Sequence, residues 1–96
     1  MNINIQSLDF TARPELDNFV REKVTALSRL RGDIIRGDIA LRLDKSDTDE
    51  NKICEIRLSV PGNDLFAKRN AKSFEEATKM AISALEKQIM KKKDRD

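Results

Sequence analysis

Apolar and polar residues alternate from the start of the chain. Ile3, Ile5 and Ser7 are interleaved with Asn2, Asn4 and Gln6, the period of two expected of a half-buried strand. From Arg13 the period changes: Leu16, Phe19, Val20, Val24, Leu27 and Leu30 recur at helical spacing, Pro14 suits the first helical turn and Gly32 suits the stop. Thr11 and Arg13 both qualify as the N-cap. Lys23 falls at the edge of the apolar stripe, where its stem can lie on the core and its ammonium can reach water.

After Gly37, Ile39, Leu41 and Leu43 alternate with Asp38, Ala40 and Arg42. After the polar segment 45–51, Cys54, Ile56, Leu58 and Val60 alternate with Glu55, Arg57 and Ser59, so the two runs read as a hairpin. Pro61-Gly62-Asn63-Asp64 predicts a tight turn into a further strand over 65–71, whose alternation Arg69 interrupts. The last periodic segment is a helix. Ser73 and Glu76 have the S-x-x-E spacing of a capping box, in which side chains satisfy N–H groups that the first turn leaves unpaired. Phe74, Ala77, Thr78, Ala81, Leu85 and Ile89 form its apolar stripe, opposite Glu75, Lys79, Ser83, Glu86 and Lys87. Glu75 and Lys79 are spaced as a solvated i,i+4 pair. The residues after Lys93 read as a frayed end.

The predicted order is therefore β-α-β-β-β-α. Each helix has one apolar stripe and each strand one apolar face, which fits an α+β fold with two helices on one face of a four-stranded sheet. The arrangement is similar to a double-stranded-RNA-binding domain. The other sheet face should carry Asn4, Gln6, Arg42, Glu55, Arg57, Ser59 and Lys68. With four Phe and neither Tyr nor Trp, the chain offers little of the aromatic platform on which sheet-surface readers stack unpaired bases.

At 96 residues the chain has room for one domain, 1–96, and one modest core. The formal charge of +2 conceals a polarity: residues 67–96 hold nine Lys or Arg against five acids, and residues 44–50 hold one Lys against four acids. No basic leader, signal-like apolar run or membrane-length segment is visible, so a cytoplasmic protein without membrane association is expected. Cys54 has no second cysteine to pair with and no histidine to activate it, and reads as a small buried hydrophobe.

Zero His, one Cys and three Gly remove the nucleophile-base pairs, zinc sets and glycine-rich phosphate loops on which most catalysis depends. No enzyme activity, cofactor or small-molecule substrate is expected. Asp44, Asp47, Asp49 and Glu50 suggest a cation loop only superficially, because the glycine and the final glutamate of a calcium loop are missing; no metal is assigned. What remains is electrostatics. Arg21, Lys23, Arg29 and Arg31 on the first helix, and Lys79, Lys87, Lys91, Lys92 and Lys93 on the second, would form one basic surface if the helices pack side by side. Such a surface follows the phosphates of a structured RNA by shape, and counterion release makes its binding steeply salt-dependent.

The order of elements, the length, Leu16-x-x-Phe19-Val20-x-x-Lys23-Val24-x-x-Leu27 and the ending Leu85-x-x-Gln88-Ile89-x-Lys91-x-Lys93 together resemble the ribosome hibernation promoting factor family. Phe74, Ala77 and Ala81 match its second helix, and Ser73 stands for the Asp that family members typically carry at the helix start, retaining capping ability. Glu75 and Lys79 depart from it, standing where many relatives carry Tyr and Asp. The resemblance implies a partner, the small ribosomal subunit and its ribosomal RNA, and a role in occupying the decoding channel so that transfer RNA and messenger RNA are excluded. It places the RNA contacts on Lys23, Lys87, Lys91 and Lys93, with Arg21, Arg29, Lys79 and Lys92 as neighbours. It further implies a short form, lacking the dimerisation domain of longer members. Two alternatives stand beside it: a modulator of an alternative sigma factor, which would call for an exposed apolar patch, and a generic structured-RNA binder.

Overall fold

The computed structural model describes residues 1–45 and 47–93, and the side chains of Lys92 and Lys93 lie outside the described set. The order is β1 (Asn2–Leu8), α1 (Pro14–Ala26), a 3-10 turn (Leu27–Arg29), β2 (Arg36–Leu43), β3 (Lys52–Val60), β4 (Asn63–Ala71) and α2 (Phe74–Lys93). The strands lie side by side in chain order. β1 runs parallel to β2 and the other neighbours are antiparallel, so α1 serves as the crossover that a parallel pair requires. This is the α+β fold expected, with a mixed sheet.

Both helices cover the same sheet face, α1 against β1 and α2, and α2 against β3 and β4. Val20, Val24 and Leu27 meet Ile39, Leu41, Cys54, Ile56 and Leu58 in one core, which Ala77, Ala81, Leu85 and Ile89 close from α2. Ile82 joins that stripe. Gly37 makes the close approach of α1 possible: a Cβ there would stand 3.3 Å from both Leu58 Cδ2 and Val24 Cγ1. Gly62, at φ +88°, supplies the left-handed residue of the β3–β4 turn.

Ser73 does cap α2, its Oγ accepting the Glu76 N–H at 3.1 Å. Inside the helix the fully buried Thr78 donates to the Phe74 carbonyl at 2.7 Å, and its Oγ1 lies 3.6 Å from Cys54 Sγ. Burial pushes the Cys54 thiol up from 9.0 to about 11; Thr78 opposes the shift and the Glu55 charge adds to it. On β4 the backbone C=O of Phe66 accepts from Gln88 Nε2 at 2.8 Å, so the family-like Gln88 ties α2 to the edge strand.

Several expectations need correction. α1 ends at Ala26, well before Gly32, because Leu27–Arg29 tighten into a 3-10 turn that keeps Leu27 in the core. Leu30, placed on the stripe by periodicity, is thereby turned out and exposed. Arg13 occupies the N-cap without a side-chain hydrogen bond, and Pro14 takes the first helical position. Leu43 is exposed at the end of β2, where the strand outruns its cover. β4 begins at Asn63, two residues earlier than expected. Ile53 alternates outward on β3 yet is only 3% exposed, flanked in register by Arg42 and Asn70.

Candidate nucleic-acid interface

Phe19 sits half-buried on α1 where that helix meets α2. Its ring lies beneath two ammonium groups: Lys23 Nζ from the same helix at 5.5 Å from the centroid, and Lys79 Nζ from α2 at 5.9 Å. Each cation is attracted by the negative face of the ring. Lys79 thus turns onto the neighbouring helix, and no ion pair with Glu75 forms among the described residues.

Along α2, Lys79, Lys87 and Lys91 belong to one row of four-residue steps, so their Cα atoms span about 18 Å of helix length. All three are exposed. On α1, Arg21, Lys23 and Arg29 line a shallow depression with Asn18, Glu22 and Thr25. Arg21 has two further engagements, an ion pair with Asp17 at 3.5 Å and a donation to the Ile3 carbonyl at 3.4 Å that ties α1 to β1.

Arg31 differs from the rest. Its Nε donates to Asp33 Oδ1 at 2.6 Å and its Nη2 to Asp33 Oδ2 at 3.4 Å, a two-pronged pair that raises the guanidinium pKa above its ordinary value. Its charge is largely spent within the loop. Lys92 and Lys93, assigned to the interface from the sequence, have side chains outside the described residues.

Pairing distinguishes the two faces of the molecule. On the open face of the sheet, Arg42 and Lys68 share Glu55 at 3.3 and 3.9 Å, Arg57 meets Asp64 at 3.6 Å, and Arg36 meets Asp38 at 2.7 Å. Arg57 also lies over the Phe66 ring, 5.0 Å from its centroid. On the helical face, Lys23, Arg29, Lys79, Lys87 and Lys91 have no carboxylate partner among the described residues. Unpaired lysines thus line the helices, beside Glu22, Glu75, Glu76 and Glu86, which also have no ion-pair partner among the described residues. Sequence periodicity places Lys79 and Lys87 on the wet face and Lys23 at the edge of the apolar stripe; the part played by Phe19 is beyond it, because that depends on how α1 and α2 dock.

A helical face of unpaired lysines on an αβββα core with an added parallel first strand defines a class of small α+β domains. The chain belongs to the Sigma 54 modulation protein / S30EA ribosomal protein family, whose model matches residues 3–96. This is the hibernation factor family that the sequence resembles. Among solved structures, a ribosomal subunit interface protein from Coxiella burnetii superposes with a TM-score of 0.86 at 20% identity, covering 98% of this chain and 99% of that one. The N-terminal domain of Protein Y from Thermus thermophilus gives 0.79 at 20% identity, with 93% and 96% covered. Among curated protein sequences none matches. No helix among the described residues is long and apolar enough to cross a membrane.

Proposed function

We infer that the protein is a non-enzymatic ribosome-binding translation inhibitor of the cytoplasm, which occupies the decoding channel of the small subunit and excludes transfer RNA and messenger RNA. The observation that carries this reading is the meeting of Lys23 and Lys79 over Phe19, which joins the basic residues of two helices into one surface. Membership of a family described by a ribosomal protein supports it, as does the fold shared with a protein described as a ribosomal subunit interface protein.

In this reading the helical face lies against ribosomal RNA. Lys23, Lys79, Lys87 and Lys91 contact phosphates, Arg21 and Arg29 reinforce them from α1, and Lys92 and Lys93 extend the contact at the end of α2. Arg31, held by Asp33, contributes little. Inhibition needs no chemical step, because a rigid body of 44 × 24 × 19 Å seated in the channel excludes other occupants by volume. The test is cell-free translation of a reporter with added protein. Suppression that saturates near one protein per ribosome is expected. Undiminished translation at excess protein would overturn the reading.

A further inference from the structure

The exposed face of α2 carries a second pattern between its lysines. Met80, Ser83, Lys87 and Met90 follow the spacing i, i+3, i+7, i+10, which places them on one narrow stripe pointing away from the core. Met80 is 41% exposed and Met90 48%, and they are the two large apolar side chains of α2 that stand exposed among the described residues. The remaining faces of this helix account for its other apolar residues, which are buried or, at Phe74 and Ala84, partly buried against the core.

The aromatic side chains are committed elsewhere. Phe10 stacks on Phe74 with centroids 4.6 Å apart, Phe19 lies under two ammonium groups, and Phe66 lies under Arg57 on the opposite side of the sheet. Methionine is unbranched, and its polarisable sulfur makes favourable contacts with aromatic rings. Interleaved with Lys79, Lys87 and Lys91, and with Glu76 and Glu86 one turn before each methionine, the two thioethers form an apolar surface on which cations outnumber anions by three to two. A duplex presents phosphates and ribose to such a surface; an unpaired segment adds the flat faces of its bases.

We propose that the Met80–Met90 stripe of α2 is a contact surface for unpaired nucleobases, with the phosphates of the same RNA segment held by Lys79, Lys87 and Lys91. The proposal rests on the RNA-binding reading above and deepens it, by specifying that the RNA meeting this helix is single-stranded at the point of contact. Charge complementarity selects the occupant. Three lysines, none with a carboxylate partner among the described residues, outnumber Glu76 and Glu86 on this face and favour a polyanion over a second copy of this chain, whose helix would bring the same excess of positive charge.

The test compares a stem-loop RNA carrying an unpaired loop with the same RNA made abasic in the loop, which keeps every phosphate. Wild-type protein should bind the intact loop roughly tenfold more tightly. The double variant Met80→Gln, Met90→Gln keeps length and helix propensity, and it should bind both RNAs with the affinity that wild type shows for the abasic one. Its salt dependence should be unchanged. Lys87→Gln with Lys91→Gln should instead flatten the salt dependence on both RNAs. Circular dichroism establishes that each variant is folded.

Equal binding of the two RNAs by wild type, including no binding of either, overturns the base contact. So does a Met variant that still discriminates between them, or one whose only change is in self-association measured by sedimentation. Co-sedimentation with small ribosomal subunits separates the two levels: wild-type binding to subunits with no base discrimination discards the stripe and keeps the ribosomal reading, whereas absence of subunit binding discards both.

Discussion

Lys23 and Lys79, from different helices, hold their ammonium groups over one ring, 5.5 and 5.9 Å from the centroid of Phe19. Both cations thus share one aromatic ring at the seam between α1 and α2, and neither has a carboxylate partner among the described residues. The proposed function uses these two cations together. Replacing both residues by Gln should lower the dependence of log K on log salt by about 1.4–1.8, the equivalent of two phosphate contacts. Titrations against small subunits at several salt concentrations would measure it. An unchanged slope would remove the seam from the interface.

Arg31 should behave differently from the lysines. Its pair with Asp33, 2.6 Å from Nε to Oδ1, offsets the charge that a phosphate would meet. Arg31→Gln is therefore expected to change subunit affinity less than twofold, while Lys87→Gln with Lys91→Gln changes it by an order of magnitude or more at moderate salt. Parallel binding isotherms of the two variants decide the ranking.

The core of α2 should be costly to disturb. Leu85 is fully buried between the helix and the sheet, so Leu85→Ala should lose roughly 2–5 kcal/mol through lost burial and the cavity left behind. Gln88→Ala removes the bond to the Phe66 carbonyl and should cost about 1 kcal/mol. Urea unfolding of both variants gives the two values on one scale. A Gln88→Ala loss as large as that of Leu85→Ala would mean that edge-strand tethering, rather than core packing, holds the helix.

Cys54 predicts a pH effect with a defined sign. Its thiol is raised from 9.0 to about 11 in the folded chain, chiefly by burial. The native state therefore holds a proton that the unfolded state releases first, and stability falls as pH rises from about 9 to about 11. Below pH 9 the contribution is fully present. Comparing wild type with Cys54→Ala isolates it: the alanine variant should show a shallower decline over that window. The native thiol should also react slowly with alkylating reagents at pH 8, and quickly once the chain is unfolded.

Much of the fold is legible in the order of residues. The alternation from Cys54 to Val60 marks the buried face of β3, Ser73 marks the start of α2, and the stripe from Ala77 to Ile89 is core. The family resemblance agrees with the family match over residues 3–96. The end of α1 is not legible, because the helical period continues through Leu30 while the backbone tightens after Ala26, and periodicity is blind to a change from an α to a 3-10 turn. Ile53 is buried against its alternation by neighbours on adjacent strands, a register effect that a single run does not encode. The R-x-D spacing of Arg31 and Asp33 recurs at Arg36 and Asp38, and both pairs form in the structure, a cue that the grouping of Arg31 with the other basic residues passes over. The convergence of Lys23 and Lys79 is out of reach of sequence, since it joins residues 56 positions apart through the docking of two helices.

The most direct measurement is co-sedimentation of the purified protein with small and large ribosomal subunits at low and moderate salt, with transfer RNA and messenger RNA as competitors. The account predicts saturable binding to the small subunit, weakened by salt and displaced by those ligands. Failure to bind the small subunit at low salt, or binding that neither ligand displaces, would contradict it.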